Sequence, residues 1–151
     1  MWAVRVALGS DHAGLELKEA LAKQLVGLGH EPEDLGTFGP EPVDYSDFGA
    51  AVGRAVARGE AELGVCCCGT GIGIAMAANK VPGVRAAVVH DVTTARLARE
   101  HNDANVCCLG ARTTGGAVAA DALATFLSTP FAGGRHVARV AKLSALEEAG
   151  R

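Results

Sequence analysis

At 151 residues, with 14 Lys+Arg against 17 Asp+Glu and a net charge of −3, the chain has the length of one domain and lacks the basic excess of a general nucleic-acid binder. Hydrophobic residues make up 49% and charged residues 21%, which excludes a disordered chain, and the length removes any need for disulfides or a metal to fold. Glycine is abundant at 20 residues and aromatics are scarce at 4%, a composition suited to slim helices packed closely on a sheet with many tight turns.

The apolar run over residues 4–8 predicts a strand, ended by Gly9-Ser10-Asp11. Leu15, Leu17, Leu21, Leu25 and Leu28 then repeat at helical spacing up to Gly29. A short extended segment, 31–35, enters the Gly/Pro-rich loop 36–40. Asp44 is placed to cap the next helix, which carries Phe48, Val52 and Val56 on one face. Residues 63–68 read as a buried strand, and Gly69-Thr70-Gly71-Ile72-Gly73 opens a helix running to Lys80. A strand over 85–90, a helix over 92–101 and a strand over 105–110 follow. Helices over 117–127 and 137–148 close the chain, after a loose stretch at 128–134. There is no internal repeat or linker, so residues 1–151 read as one domain.

Such alternation predicts an α/β fold: a five-stranded parallel sheet with helices on both faces, plus one extra C-terminal helix. Ligands of these sheets bind beyond the carboxyl ends of the strands. Asp11-His12, the segment from Gly69 to Gly73, His90-Asp91 and Arg112 all fall there. The five cysteines stand in two runs, Cys66-Cys67-Cys68 and Cys107-Cys108. Neighbours on a strand face opposite sides, so this is neither a zinc knuckle nor a disulfide framework. The opening MWAVRVALGSDH does not read as a secretory signal, and no run approaches the roughly 20 apolar residues of a membrane helix. The expectation is a cytoplasmic protein, not held in a membrane, with reduced and mostly buried thiols.

Three constellations can carry chemistry. In Cys68-Gly69-Thr70-Gly71-Ile72-Gly73, glycines between strand and helix let a ligand approach the backbone, and the helix N-terminus offers free N–H groups to an anion. The spacing misses the dinucleotide fingerprint, because Ile74 stands where its third glycine would be, and no G-K-[ST] follows. Taken alone the segment also suits a plain tight turn. Cys68 adds to it, since a thiol beside a helix N-terminus is a usable base or nucleophile. Arg135 and Arg139 are spaced i, i+4 at the start of the last helix, as either a phosphate clamp or a solvated basic face, and Arg112 can join them. His101-Asn102-Asp103 ends a helix with a side chain able to move protons near neutral pH. Tyr45 can reach a ligand with its hydroxyl. Nothing resembles H-E-x-x-H, G-x-S-x-G or a carboxylate cage, so no metal is expected.

In one chain and in this order stand Gly9-Ser10-Asp11-His12-Ala13-Gly14, Asp44-Tyr45, Cys68-Gly69-Thr70-Gly71-Ile72-Gly73, Ala78-Asn79-Lys80, His101-Asn102-Asp103 and Gly133-Gly134-Arg135-His136. Together they resemble the type B ribose-5-phosphate isomerase family, which also holds galactose-6-phosphate and allose-6-phosphate isomerases. The resemblance spans nearly the whole chain. It implies a Rossmann-like three-layer domain working without a cofactor as a homodimer or dimer of dimers. Each site is then built from two subunits, with the C-terminal helix, 135–149, packing on the partner. It implies Cys68 as the catalytic base, in place of the glutamate that another branch carries a few positions later. Thr70 would pass the proton between sugar oxygens, and His101 would open the ring, with Asp11 assisting. Arg112, Arg135 and Arg139 would hold phosphate with His12 nearby, Asn102 and Tyr45 would meet sugar hydroxyls, and backbone N–H groups of Gly69, Gly71, Ile72 and Gly73 would face the enediolate. The implied reaction interconverts ribose 5-phosphate and ribulose 5-phosphate in the pentose phosphate pathway. The alternatives are a six-carbon aldose phosphate, allose 6-phosphate or galactose 6-phosphate, and a non-catalytic sugar-phosphate-binding module.

Overall fold

Strands and helices alternate in the computed structural model, which describes residues 2–149. In chain order they are β1 (Arg5–Ser10), α1 (Leu15–Gly27), β2 (Glu31–Asp34), α2 (Tyr45–Ala57), β3 (Leu63–Cys68), α3 (Ile72–Asn79), β4 (Ala86–Val88), α4 (Val92–Asn102), β5 (Val106–Gly110), α5 (Gly116–Ser128) and α6 (His136–Ala149). All four strand pairings are parallel, in the order β2-β1-β3-β5-β4. Alternate residues of each central strand feed two separate cores. Val6, Leu8, Val65, Cys67, Cys107 and Leu109 pack with Leu21, Leu25, Ala98, Leu123 and Phe126 of α1, α4 and α5. Ala7, Cys66, Cys68, Val106 and Cys108 pack with Val52, Ala55, Ile74 and Ala78 of α2 and α3. This period-two division makes the three-layer sandwich. From β1 the chain steps one way to β2 and then back across to β3. A crevice therefore opens between the carboxyl ends of β1 and β3, where the winding direction changes.

The boundaries differ from the sequence expectation where packing overrides composition. Gly9 and Ser10 extend β1 rather than end it. A Cβ at Gly9 would sit 2.7 Å from Val52 Cγ2, so the glycine is what lets α2 lie directly on the strand. β4 is shorter than the apolar run 85–90 because it lies at the sheet edge. There the Asn79 amide takes the place of a further strand, accepting the Ala86 N–H at 2.8 Å and donating to the Ala86 carbonyl at 2.9 Å. Asp44 occupies the N-cap of α2 but makes no capping hydrogen bond. The cap that forms is on α4, where Asp91 accepts the Thr94 N–H at 2.7 Å and Thr94 answers with its hydroxyl, a full capping box. Those bonds hold the Asp91 carboxyl below its ordinary pKa. A depressed carboxylate contributes stability at neutral pH that is lost as pH falls below about 4. Asp91→Ala is accordingly expected to lower the thermal midpoint by a few degrees at pH 7, with the deficit shrinking in acid, as scanning calorimetry at several pH values would show.

Candidate active site

The crevice between β1 and β3 gathers the first group of expected residues. Cys68, the last residue of β3, is buried, and its Sγ accepts the Gly71 N–H at 3.1 Å. Gly71 can make this turn because its φ is +78° and because a Cβ there would press on the backbone of Leu109 at 2.9 Å. Thr70 is exposed, with its Oγ1 accepting the Ile72 N–H at 3.1 Å. Two of the amides between Gly69 and Gly73 are therefore engaged, by Cys68 and by Thr70. Gly73 and Ile74 carry amides that precede the first full helical bond of α3, from Ala75 to the Gly71 carbonyl. Tyr45, at the start of α2, lays its ring on Gly73, where a Cβ would come within 2.6 Å of Tyr45 Cε1.

Asp11 is buried beside this turn, its Oδ1 accepting the Gly14 N–H at 3.0 Å and its own N–H reaching the Cys67 carbonyl at 3.3 Å. Gly14 admits no side chain, since a Cβ would lie 2.3 Å from the Cys67 oxygen, so α1 starts directly against the end of β3. Arg112 follows β5, its N–H bonding the Gly69 carbonyl at 2.9 Å. It shares a cavity of about 600 Å³ with His12, Glu16, Pro40 and Thr114. Thr114 is buried and its hydroxyl has no protein partner. The His12 Nδ1 accepts the Val43 N–H at 3.2 Å, which leaves Nε2 to carry the proton of the neutral ring.

The second group lies elsewhere. α4 carries the chain from the carboxyl end of β4 back to the start of β5, so His101 and Asn102 in its last turn sit at the amino end of the sheet. The His101 ring stacks on His136, with centroids 4.4 Å apart and planes 15° from parallel. Arg135 immediately precedes α6, Arg139 lies within its first turns, and both are exposed. Burial, then His101, then these two arginines hold the His136 imidazole below its ordinary pKa. α6 thus touches its own chain at His136, and at Glu147, whose Oε1 accepts the Gly83 N–H at 2.9 Å. Its Val137, Leu143 and Leu146 stay exposed. A strand of five residues separates the two groups within one chain, on the order of 15–20 Å. Cys68, Thr70, Asp11, His12, Tyr45 and Arg112 are therefore brought together, and His101, Asn102, Arg135 and Arg139 are assembled at the far end.

The remaining thiols are packing residues. All five cysteines are free and buried. Burial, reinforced by neighbouring thiols, raises the pKa of Cys67 and of Cys107, and a hydrogen bond with Cys66 followed by burial raises that of Cys108. Among the described residues no group of three or more His, Cys, Asp and Glu is arranged to hold a metal ion, and no helix is long and apolar enough to cross a membrane. Lys18 was not expected from the sequence. It is fully buried, its Nζ 2.7 Å from Asp34 Oδ1 and bonded to the Thr37 carbonyl. No spacing rule marks it, because its acceptors come from β2 and the loop beyond.

The Ribose/Galactose Isomerase family model matches residues 6–143. Ribose-5-phosphate isomerase B of Escherichia coli is 41% identical over 144 residues, covering 95% of this chain and 97% of the relative. Among solved structures, the ribose-5-phosphate isomerase B of Clostridium thermocellum superposes with a TM-score of 0.96 at 48% identity, covering 97% of this chain and 99% of that one. The enzyme of the same name from Mycoplasma genitalium, solved with bound ribulose-5-phosphate, gives 0.92 at 39% identity and covers 95% of this chain and 96% of that one.

Proposed function

The chain belongs to the ribose/galactose isomerase family, and on that footing we propose that it interconverts ribose 5-phosphate and ribulose 5-phosphate through an enediolate. The observation that carries the reading is the Cys68 thiol, buried at the carboxyl end of β3 and met there by the Gly71 N–H of the turn that opens α3. Aldose–ketose isomerisation needs one base that takes a proton from C2 and returns it to C1. The Gly71 hydrogen bond fixes where the Cys68 Sγ stands, and a positioned base contributes roughly 10²–10⁴ in rate. Thr70 passes the hydroxyl proton between O1 and O2. The amides of Gly73 and Ile74 face the oxygen on which charge develops, where one donor is worth roughly 10²–10³. Asp11 assists at the anomeric hydroxyl during ring opening, and Tyr45 meets a sugar hydroxyl. Arg112, with His12 beside it, takes the phosphate, whose remote binding energy positions the reacting carbons.

This site lacks a ring-opening acid and most of its phosphate clamp, and a second copy of the chain supplies both. His101, Asn102, Arg135 and Arg139 of the partner subunit would enter the crevice from the far end of its sheet. The protein is then a homodimer, or a dimer of dimers, with two shared sites in the cytoplasm and a place in the pentose phosphate pathway. The support is the separation of the two groups within one chain, together with the exposed apolar residues Ile72 and Met76 on α3 and Val137, Leu143 and Leu146 on α6. A steady-state comparison of ribose 5-phosphate, allose 6-phosphate and galactose 6-phosphate tests the reading. The expected order of kcat/KM places ribose 5-phosphate first, and preference for a six-carbon substrate would overturn that assignment. The proposed chemistry runs on side chains and amides alone, so activity should survive exhaustive dialysis against EDTA. Loss in EDTA with recovery on one divalent ion would refute a metal-free reaction.

A further inference from the structure

The mechanism leaves Lys18 unused, although a fully buried ammonium is costly unless its surroundings repay it. Its partners all belong to one segment or to that segment's root. Nζ holds Asp34 Oδ1 at 2.7 Å and the Thr37 carbonyl, and it lies 5.0 Å from the centroid of the Phe38 ring. Asp34 Oδ1 also accepts the Gly36 N–H at 2.9 Å. Gly36 and Thr37 in turn clasp Ser10, through Ser10 N–H to the Gly36 carbonyl at 2.7 Å and Thr37 N–H to the Ser10 carbonyl at 2.8 Å. Ser10 precedes Asp11. From this root, residues 36–44 run past the cavity that holds His12 and Arg112, contributing Pro40 to its wall. At the far end the Val43 N–H fixes His12, and Tyr45 follows against Gly73.

We propose that residues 36–44 form a strap over the sugar-phosphate crevice and that Lys18 is the positioning residue that tethers it, so that Asp11, His12 and Tyr45 are held in register with Cys68. Lys18 touches no substrate. It acts through the strap, which spans from one substrate-binding residue to the next with no regular secondary structure of its own. A charged tether is suited to the task because it takes two acceptors from separate segments, the end of β2 and the loop, and an apolar side chain would satisfy neither. The inference rests on the isomerase reading and adds to it a residue that governs the shape of the site from beneath.

The test uses the full-length protein and Lys18→Met, which keeps an unbranched side chain one atom shorter and removes the charge. Asp34, whose side chain is 30% exposed, can then turn to water. Hydrogen exchange of the Ser10, Gly36, Thr37 and Val43 amides reads the strap directly, and steady-state kinetics on ribose 5-phosphate reads its consequence. The expected result is loss of protection at those four amides while those of β3 and β5 stay protected, with KM raised at least tenfold and kcat changed less. Asp34→Ala, at a position already in contact with solvent, should reproduce the KM increase, and Asp34→Asn, which keeps the acceptor, should restore most of the wild-type value. Should Lys18→Met fail to fold, the two Asp34 variants carry the same comparison. An unchanged KM with the strap amides exchanging freely would overturn the inference, as would strap amides that stay protected in Asp34→Ala. Absence of wild-type turnover of ribose 5-phosphate would instead defeat the isomerase reading, while the exchange arm still reports on the tether.

Discussion

Replacing Cys68 with serine is expected to abolish turnover, by 10³-fold or more on the order of what a positioned base contributes, while leaving ligand binding nearly intact. The serine hydroxyl can still accept the Gly71 N–H, so the turn after β3 should keep its shape. It cannot supply the carbanion chemistry, because a hydroxyl without an adjacent base is far too weak at neutral pH. Steady-state assays give the first half of the result, and a thermal-shift titration with ribose 5-phosphate gives the second. Near wild-type turnover in Cys68→Ser would remove the thiol from the mechanism. Alkylation of the native enzyme should point the same way, with substrate protecting, although the four other thiols make the variant the cleaner experiment.

The second large effect concerns the division of the site between subunits. A chain carrying Arg135→Ala and Arg139→Ala should bind substrate poorly, each lost charge-assisted bond costing about 1.5–3 kcal/mol. Cys68→Ser should bind but not turn over. Mixed and allowed to exchange subunits, the two near-inactive proteins should regain activity, up to about half of wild type per heterodimer. In that species one site carries both defects and the other carries neither, as the two-fold symmetry of a shared-site dimer requires. Verified exchange without rescue would mean that base and clamp serve the same site from one chain, which the placement of His101 and Arg135 at the amino end of the sheet argues against.

Much of the fold is legible in the sequence, and the exceptions share a cause. Alternation of apolar periods locates the eleven elements of the described residues, because strand and helix patterns depend on near neighbours. The sheet order is not readable from the sequence: that β5 inserts between β3 and β4 is decided by the pairing of β5 with β3, whose partners such as Gly64 and Val106 are 42 residues apart. Gly9 reads as a terminator in the sequence, since its role as a contact point depends on Val52, 43 residues later. Asp44, expected as a cap, has Asp47 three residues on, whereas Asp91, which caps α4, has Thr94 there to answer it. The placing of Cys68, Asp11 and Arg112 at one end of the sheet is readable because each stands at or just after the end of a strand. That His101 and the last arginines lie at the opposite end could be seen only once α4 was laid across the sheet. Nothing near Lys18 in the sequence marks it, because the acceptors that bury it are set by how β2 and the following loop return to α1.

The burial of the five thiols gives the protein a built-in clock for its own opening. Cys66 and Cys108 are partners across β3 and β5, and Cys67 and Cys107 face the other layer, so neither face of the sheet can be uncovered alone without one pair staying hidden. Cys68, at the carboxyl end of β3, needs only the turn over 69–71 to open before a thiol reagent added to the native chain reaches it. The other four should label together, at a rate that follows the rare event in which both layers lift from the sheet. Counting thiols against time would then separate breathing of the crevice from loss of the whole domain, with no residue changed.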